Sequence, residues 1–286
     1  MKISELYKNK KTVFSLEVFP PKKTDSIDAI YSTLDGLKDV SPDFISVTYG
    51  AGGNVADNKT RSIAQIIKKD YGIESMAHLT CVSTTRSDAG LILDDFSEHG
   101  IENILALRGD ISPDRPPKND FRYASDLAKF IRENGDFDIG GACYPEGHAE
   151  AESFDADIEN LKKKVDSGVS FLISQLFFDN NFFFDFSEAA EKAGINVPVS
   201  AGIMPVTNKK QIERMVTMCG ASIPKKLANL MTKYADDPES MTDAGIEYAW
   251  AQIEGLIRRG VRGIHLYTMN NPSVALKIYN GIKELL

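Results

Sequence analysis

Eight times along this chain a short apolar run gives way to a segment whose apolar residues recur at helical spacing. The runs lie at residues 14–19, 44–49, 75–81, 103–108, 138–144, 171–177, 197–203 and 263–269. Continuous apolar strands with little polar alternation have both faces buried. That demands a parallel sheet with helices packed on it. The intervening segments supply those helices. Ile27, Ile30, Tyr31, Leu34 and Leu37 follow Thr24-Asp25, a cap signal, and Ile63, Ile66 and Ile67 follow Asp57. Further helices are predicted over 85–99, 123–133 and 155–166, the last ending before Gly168, and a phenylalanine-rich one runs to 192. Thr207 is the expected cap of a helix carrying Ile212, Met215, Val216 and Cys219. Pro224, at an N1 position, starts an inserted helix to 234, a long helix runs to 259, and a last one covers 273–285.

Eight such units close most naturally into an α/β fold of the (β/α)8 TIM-barrel type, here with extra helices near the C-terminus. A length of 286 residues is ordinary for one such barrel, and with no low-complexity linker the expectation is a single catalytic domain over residues 1–286. The alternative is an open doubly wound sheet. Against it, no GxGxxG follows the first strand and no GxxxxGK[ST] occurs anywhere.

Composition narrows the function. A net charge of −8 disfavours nucleic acid and anionic membrane as general partners, because both require a basic face. No run approaches the ~20 apolar residues of a membrane span. The opening Met1-Lys-Ile-Ser-Glu-Leu-Tyr-Lys has no apolar core of an export signal, so a cytoplasmic location is expected. Cys81, Cys143 and Cys219 are odd in number, widely spaced and set in apolar contexts, which fits buried thiols in a reducing compartment.

In such a barrel the chemistry collects at the C-terminal ends of the strands. The polar residues there are Glu17, Thr48 and Tyr49, His78, Arg108 and Asp110, Tyr144 and His148, Gln175 and Tyr267. Glu17 stands out. It sits among Phe14, Leu16, Val18 and Phe19, just before Pro20 and Pro21 end the strand. A carboxylate in apolar surroundings is costly unless paired or neutral, and desolvation favours the protonated form that a general acid needs. The competing reading is an ion pair with Lys22 or Lys23. His78 is likewise open to reading as a satisfied core histidine. His78, Asp110 and His148 offer the materials of a metal site, but no HxH or HExxH supports one, so none is expected. No strand end carries the lysine of a Schiff-base aldolase.

Ser46-Val-Thr-Tyr-Gly50, His78-Leu-Thr-Cys81, Ala106-Leu-Arg-Gly-Asp110, Tyr144-Pro-Glu-Gly-His148, Gln175-Leu-Phe-Phe-Asp179 and the strand around Glu17 occur in an order that resembles the methylenetetrahydrofolate reductase family. The resemblance covers almost the whole chain and looks like the compact bacterial form, a catalytic barrel without a regulatory extension. It implies an FAD enzyme of one-carbon metabolism and methionine biosynthesis. The flavin takes hydride from NADH or NADPH, with NADH the commoner choice in compact relatives. It then passes the hydride to 5,10-methylenetetrahydrofolate, giving 5-methyltetrahydrofolate by ping-pong kinetics. A homo-oligomer, dimer or tetramer, is implied as well.

By the same resemblance Glu17 is the general acid that protonates the folate N10, and Asp110 lies near flavin and folate. Glu17, Gln175, Gln211, Tyr267 and Asn271 are implied in substrate binding, while Gln211 also reads as an exposed residue in a first helical turn. FAD contacts are implied for Thr48, Tyr49, Ala51 and His78, for Arg108, Gly109, Asp110 and Ala124, and for Tyr144, His148 and Ala151. Asp157, Asn160, Lys163 and Lys164 complete the implied set. Of these, Asp157, Asn160 and Lys164 share one helix face at i, i+3 and i+7, and Lys163 falls off it. Two positions depart from the family pattern. Asn271 stands where relatives often carry an arginine suited to the folate's glutamate tail, and Met215 stands where some carry an aromatic residue.

Overall fold

In the computed structural model residues 1–21, 26–49, 59–111 and 116–286 are described. The expected caps at Thr24-Asp25 and Asp57, the partners Lys22 and Lys23, the motif residue Gly50 and the site residue Ala51 lie outside them.

The chain runs α1 (Ile3–Asn9), β1 (Val13–Val18), α2 (Ala29–Leu37), β2 (Phe44–Val47), α3 (Lys59–Asp70), β3 (Glu74–Thr80), α4 (Arg86–Glu98), β4 (Asn103–Leu107), α5 (Ala124–Asn134) and β5 (Asp138–Cys143). It continues through α6 (Phe154–Asp166), β6 (Phe171–Ser174), α7 (Asn180–Lys192), β7 (Val199–Ile203), α8 (Lys209–Cys219), α9 (Lys225–Lys233), α10 (Pro238–Arg258), β8 (Gly263–Tyr267) and α11 (Pro272–Ile282). Short 3-10 turns follow α2 and α11. The strands form a closed parallel barrel in sequence order, β8 pairing with β1. The barrel expectation therefore holds, and the open sheet is excluded.

Each strand is buried on both sides, as its apolar continuity requires. Outward residues such as Leu16, Ile45, Leu79 and Ile264 pack under the helical stripes Ile30/Leu34/Leu37 and Ile63/Ile67 in one large core. Inward residues build a second core at the N-terminal end of the barrel, from Val13, Phe44, Met76, Leu105, Phe171 and Ile173. Helix α1, for which the sequence carried no expectation, plugs this end. Its Ile3 and Tyr7 join the inner core, and the Tyr7 hydroxyl meets Ser200 Oγ at 2.7 Å. Two polar side chains bond the plug's backbone: Asn103 Oδ1 accepts the Ile3 N–H at 2.9 Å, and Asp138 Oδ2 accepts that of Ser4 at 2.6 Å.

A third core sits at the other end. Leu176, Phe178, Met204, Val206, Ile212, Leu227, Met231 and Met241 tie α8, α9 and α10 over the ends of β6 and β7. Gly245 permits this, since a Cβ there would lie 1.8 Å from the Val206 carbonyl oxygen. Two helix starts differ from the sequence expectation. Asn208, not Thr207, caps α8, its side chain accepting from the Gln211 N–H. Pro224 is the N-cap of α9 rather than its first residue. Both shifts are a single residue, within which several cap-competent side chains compete.

Candidate functional site

At the C-terminal ends of the strands lies a cavity of about 710 Å3. Its wall is contributed by Glu17, Thr48, Tyr49, His78, Arg108, Gly109, Asp110, Tyr144, His148, Gln175 and Tyr267, together with the apolar Leu107, Met204, Met215 and Met269. Every strand-end residue singled out in the sequence thus faces one space, because Glu17, His78 and Tyr267 lie on β1, β3 and β8 and the others lie in the segments that leave the strands at the same end of the barrel.

Glu17 occupies the floor. Its side chain is 19% exposed, and Oε2 stands 3.6 Å from His78 Nε2 and 3.7 Å from His265 Nε2. The immediate surroundings are therefore two imidazoles and the buried Ser46 hydroxyl, not the apolar box expected from the strand sequence. Burial by itself drives the Glu17 carboxyl upward. The His265 and His78 imidazoles and the Ser46 hydroxyl outweigh it and hold the group below its ordinary value. The strand sequence suggested a carboxyl raised by desolvation alone; its neighbours pull it the other way. His78 is itself pushed down to about 4 by burial, against the pull of Glu17, so at neutral pH it is an uncharged imidazole. His78 Nε2, His265 Nε2 and Ser46 Oγ are all buried without a hydrogen-bond partner, so His78 is not a satisfied core histidine.

His265 was missed in the sequence, although a signal was present. Tyr267 was recognised as cavity-facing, and in a strand the residue two positions earlier shares its face. The β1–β8 register sets Ser15 beside His265 and Glu17 beside Tyr267. The far side of Glu17 is fixed through its backbone, whose carbonyl accepts from Thr268 Oγ1 at 2.6 Å. Asn270 clasps both backbone groups of Phe19, at 3.0 and 2.9 Å.

The opposite wall is charged. Arg108 makes a two-pronged ion pair with Glu150, at 2.5 and 2.8 Å, which raises the guanidinium further. Glu150 went unrecognised in the sequence, since nothing local marks an exposed loop glutamate. Gly109 follows at φ +83°, where a Cβ would meet Thr80 Cβ at 2.9 Å. This is a turn only glycine makes without strain. Tyr144 packs edge-on to His148, centroids 4.6 Å apart, and burial pushes its hydroxyl up to about 12. The His148 N–H donates to Asp157 Oδ2 at 3.1 Å, which links α6 to the cavity wall. Burial raises the Asp157 carboxyl. Lys164 reaches under the same wall to the Ala142 carbonyl at 2.7 Å, and burial lowers its amine.

Other predicted residues stand away from the cavity lining. Asn160 is exposed and bonded to Lys163 at 3.1 Å, so the proposed helix face divides, Asp157 and Lys164 turning inward and Asn160 outward. Ala124 opens α5 and is buried there, and Ala151 lies in the loop after His148. Gln211 sits in the first turn of α8, one turn before Met215, which does line the cavity. Asn271 caps α11, its Oδ1 accepting from Val274 N–H at 3.3 Å and Ser273 Oγ at 2.8 Å. Gln175 Oε1 accepts from the Leu176 N–H at 2.8 Å, which leaves its amide NH2 for a ligand.

This set of groups fits a large, phosphate-bearing ligand. It combines a permanent cation, a glycine turn that admits close backbone approach, aromatic edges and unpartnered buried donors in a space of the usual ligand-site size. Among the described residues no helix is long and apolar enough to cross a membrane, and no three His, Cys, Asp or Glu side chains are grouped to hold a metal ion.

Comparison with known proteins agrees with this architecture. A family model described as methylenetetrahydrofolate reductase matches residues 2–283. The 5,10-methylenetetrahydrofolate reductase of Pectobacterium carotovorum subsp. carotovorum is 39% identical over 264 residues, 92% of this chain and 88% of that protein. The enzyme of the same name from Escherichia coli (strain K12) is 38% identical over the same shares. Methylenetetrahydrofolate reductase (NADH) 1 of Arabidopsis thaliana is 35% identical over 97% of this chain and 49% of its own length. Among solved structures, a Clostridium thermocellum protein described as binding two copies of 5-methyl-5,6,7,8-tetrahydrofolic acid superposes with a TM-score of 0.68 at 14% identity, covering 99% of this chain and all of that one. At that identity the likeness speaks for the fold.

Proposed function

Because this chain belongs to the methylenetetrahydrofolate reductase family, whose members are oxidoreductases acting on methylenetetrahydrofolate, we propose that it reduces 5,10-methylenetetrahydrofolate to 5-methyltetrahydrofolate with FAD as cofactor and NADH or NADPH as reductant. The observation that carries this reading is the convergence of Glu17, His78, Arg108, Asp110 and Gln175 on one cavity. FAD, when bound, supplies hydride acceptance from the nicotinamide and hydride donation to the folate, in turn, on one site.

The protein's contribution is positional and electrostatic. Arg108 is the cation for a phosphate or carbonyl oxygen, with Thr48, Tyr49, His148 and the Gly109 backbone beside it. Lys164 and Asp157 brace that wall from α6. The Gln175 amide orients the folate ring, and Tyr267 packs beside it. Asp110 places a negative charge where positive charge develops as the folate's five-membered ring opens to its iminium. Glu17 gives a proton to N10, so that the amine leaves neutral. His265, His78 and Ser46 hold the Glu17 carboxyl low. Substrate that covers its exposed fifth removes water and drives the carboxyl upward, towards the protonated form the step requires. Met204, Met215 and Met269 keep the remaining wall apolar and exclude water from the nicotinamide and folate. Buried free Cys81 and Cys143 are compatible with a reducing cytoplasm. A homo-oligomer, dimer or tetramer, is part of the same proposal.

One anaerobic titration tests the proposal. The purified protein is expected to be yellow, to bleach with NADH, and to regain colour with methylenetetrahydrofolate. A colourless protein, or a flavin that NADH reduces but folate does not reoxidise, overturns it.

A further inference from the structure

Gln175 stands one residue past the end of β6, where the sheet ceases to hold the chain. The last bond to a neighbouring strand is its own N–H, donated to the Cys143 carbonyl at 2.7 Å. Leu176, Phe177 and Phe178 follow and are all buried, so their backbone groups need partners from elsewhere. Side chains supply them. Tyr267 Oη donates to the Ser174 carbonyl at 2.8 Å, and Ser174 Oγ donates to the Gln175 carbonyl at 2.9 Å. Gln252 Nε2 donates to the Phe177 carbonyl at 2.9 Å, and Tyr248 Oη donates to the Phe178 carbonyl at 2.6 Å.

Tyr248 and Gln252 lie one turn apart on α10. Gln252 is 6% exposed, on the buried stripe that also carries Ala249, Ile253 and Leu256. A glutamine buried on an apolar helix face is costly unless it is bonded, and what it bonds is this segment. The contact is returned. Asn180 Nδ2 donates to the Gln252 carbonyl at 2.9 Å, and Gly255 leaves room for it, since a Cβ there would lie 2.9 Å from that nitrogen.

We propose that Tyr248 and Gln252 are positioning residues for Gln175: they fix the chain just past β6 so that this side chain presents one oriented hydrogen-bond donor to the folate. The orientation follows from the chemistry. The Leu176 N–H can only donate, so the Gln175 atom that meets it at 2.8 Å is the carbonyl oxygen, and the NH2 is left for the cavity. The group it recognises is therefore an acceptor, a ring nitrogen or a carbonyl oxygen. If residues 176–178 shifted, the Leu176 N–H would shift with them and the amide would lose its hold. A misplacement of about 1 Å in such a contact is costly. Neither Tyr248 nor Gln252 is part of the cavity wall, so both act through the backbone they hold.

This inference rests on the function proposed above, and two measurements separate their failures. The first needs no ligand. Tyr248→Phe removes only the hydroxyl, and amide hydrogen exchange at Leu176, followed by NMR, is expected to quicken on the order of 5-fold, with the amides of β6 and β7 unchanged. Unchanged exchange at Leu176 overturns the proposal. The second is a double-mutant cycle on the flavin-loaded protein, read as the methylenetetrahydrofolate concentration that half-saturates reoxidation of the reduced flavin. Tyr248→Phe is expected to raise it about 5-fold, and Gln175→Ala on the order of 10-fold. In the Gln175→Ala background, Tyr248→Phe is expected to cost nothing more, because no side chain is left to position. FAD affinity is expected to stay unchanged throughout. Additive losses, or an equal loss of FAD affinity, make Tyr248 a general structural residue and overturn the proposal. Gln252→Leu is expected to behave as Tyr248→Phe does; should it fail to fold, the Tyr248→Phe cycle decides. If the wild-type flavin is not reoxidised by folate, the proposed function fails, while the exchange result still decides whether α10 holds this segment.

Discussion

Glu17 Oε2 lies 3.6 Å from the Nε2 of His78, and these two buried groups cannot both carry charge cheaply. The arrangement resolves as a carboxylate beside a neutral imidazole, since burial lowers His78 to about 4. On the proposed mechanism, Glu17 then gains its proton once substrate covers it.

Glu17→Gln tests that assignment. The variant keeps size and hydrogen bonding but has no carboxylic proton to give. Flavin reduction by NADH involves no folate N10 and is expected to stay near normal. Hydride transfer to methylenetetrahydrofolate is expected to fall 10²–10⁴-fold, roughly 3–5 kcal/mol of barrier. Stopped-flow of the two half-reactions decides: equal slowing of both makes Glu17 a structural part of the flavin site.

Asp110 lines the cavity beside Arg108, so its charge opposes any negative charge that builds up on a bound flavin. In Asp110→Asn the flavin is expected to become easier to reduce. A shift of about 30 mV, equivalent to about 1.4 kcal/mol in a two-electron couple, is readily measured by dye titration. An unchanged potential puts Asp110 away from the ring.

Glu150 holds the Arg108 guanidinium with two hydrogen bonds. An anionic cofactor must compete with that carboxylate. Glu150→Gln is therefore expected to tighten FAD binding a few-fold at low salt, measured by fluorescence quenching, and the gain should shrink as salt screens the site. Weaker binding would show that the ion pair organises the site rather than competing for it.

Acid stability follows from His78. The unfolded chain takes up this proton near the ordinary histidine value of 6.5, whereas the folded protein resists until about 4. Between those values the unfolded state binds more protons, so stability rises with pH there and is lost as pH falls from 6.5 towards 4. The loss is at most about 3.5 kcal/mol, at about 1.4 kcal/mol per unit over about 2.5 units. Urea titrations at several pH values should show His78→Gln flattening that slope; an unaltered slope assigns the acid sensitivity elsewhere.

Asn271 caps α11 instead of lining the cavity. Asn271→Ala is expected to cost about 1 kcal/mol of stability, seen in thermal or urea unfolding. Folate affinity is expected to stay unchanged at low salt. A clear loss of affinity with unchanged stability would return Asn271 to the substrate site.

The sequence by itself determined the strands, their order and their parallel pairing, because hydrophobic period and length are local properties. It also determined which strand ends carry chemistry, since the polar residues stand at the C-terminal ends of apolar runs. The surroundings of Glu17 were a different matter. Its chain neighbours are apolar, yet in a strand those neighbours point elsewhere, and the groups that face it come from β2, β3 and β8. Ser15 and His265 are 250 positions apart and meet only because β8 closes on β1 in one register. The same holds for Glu150 on Arg108, for the division of Asp157 and Lys164 from Asn160, and for Asn271, claimed by its own helix. Which side chains share a face is local, but which faces meet, and hence the charge each group carries, is set by barrel closure.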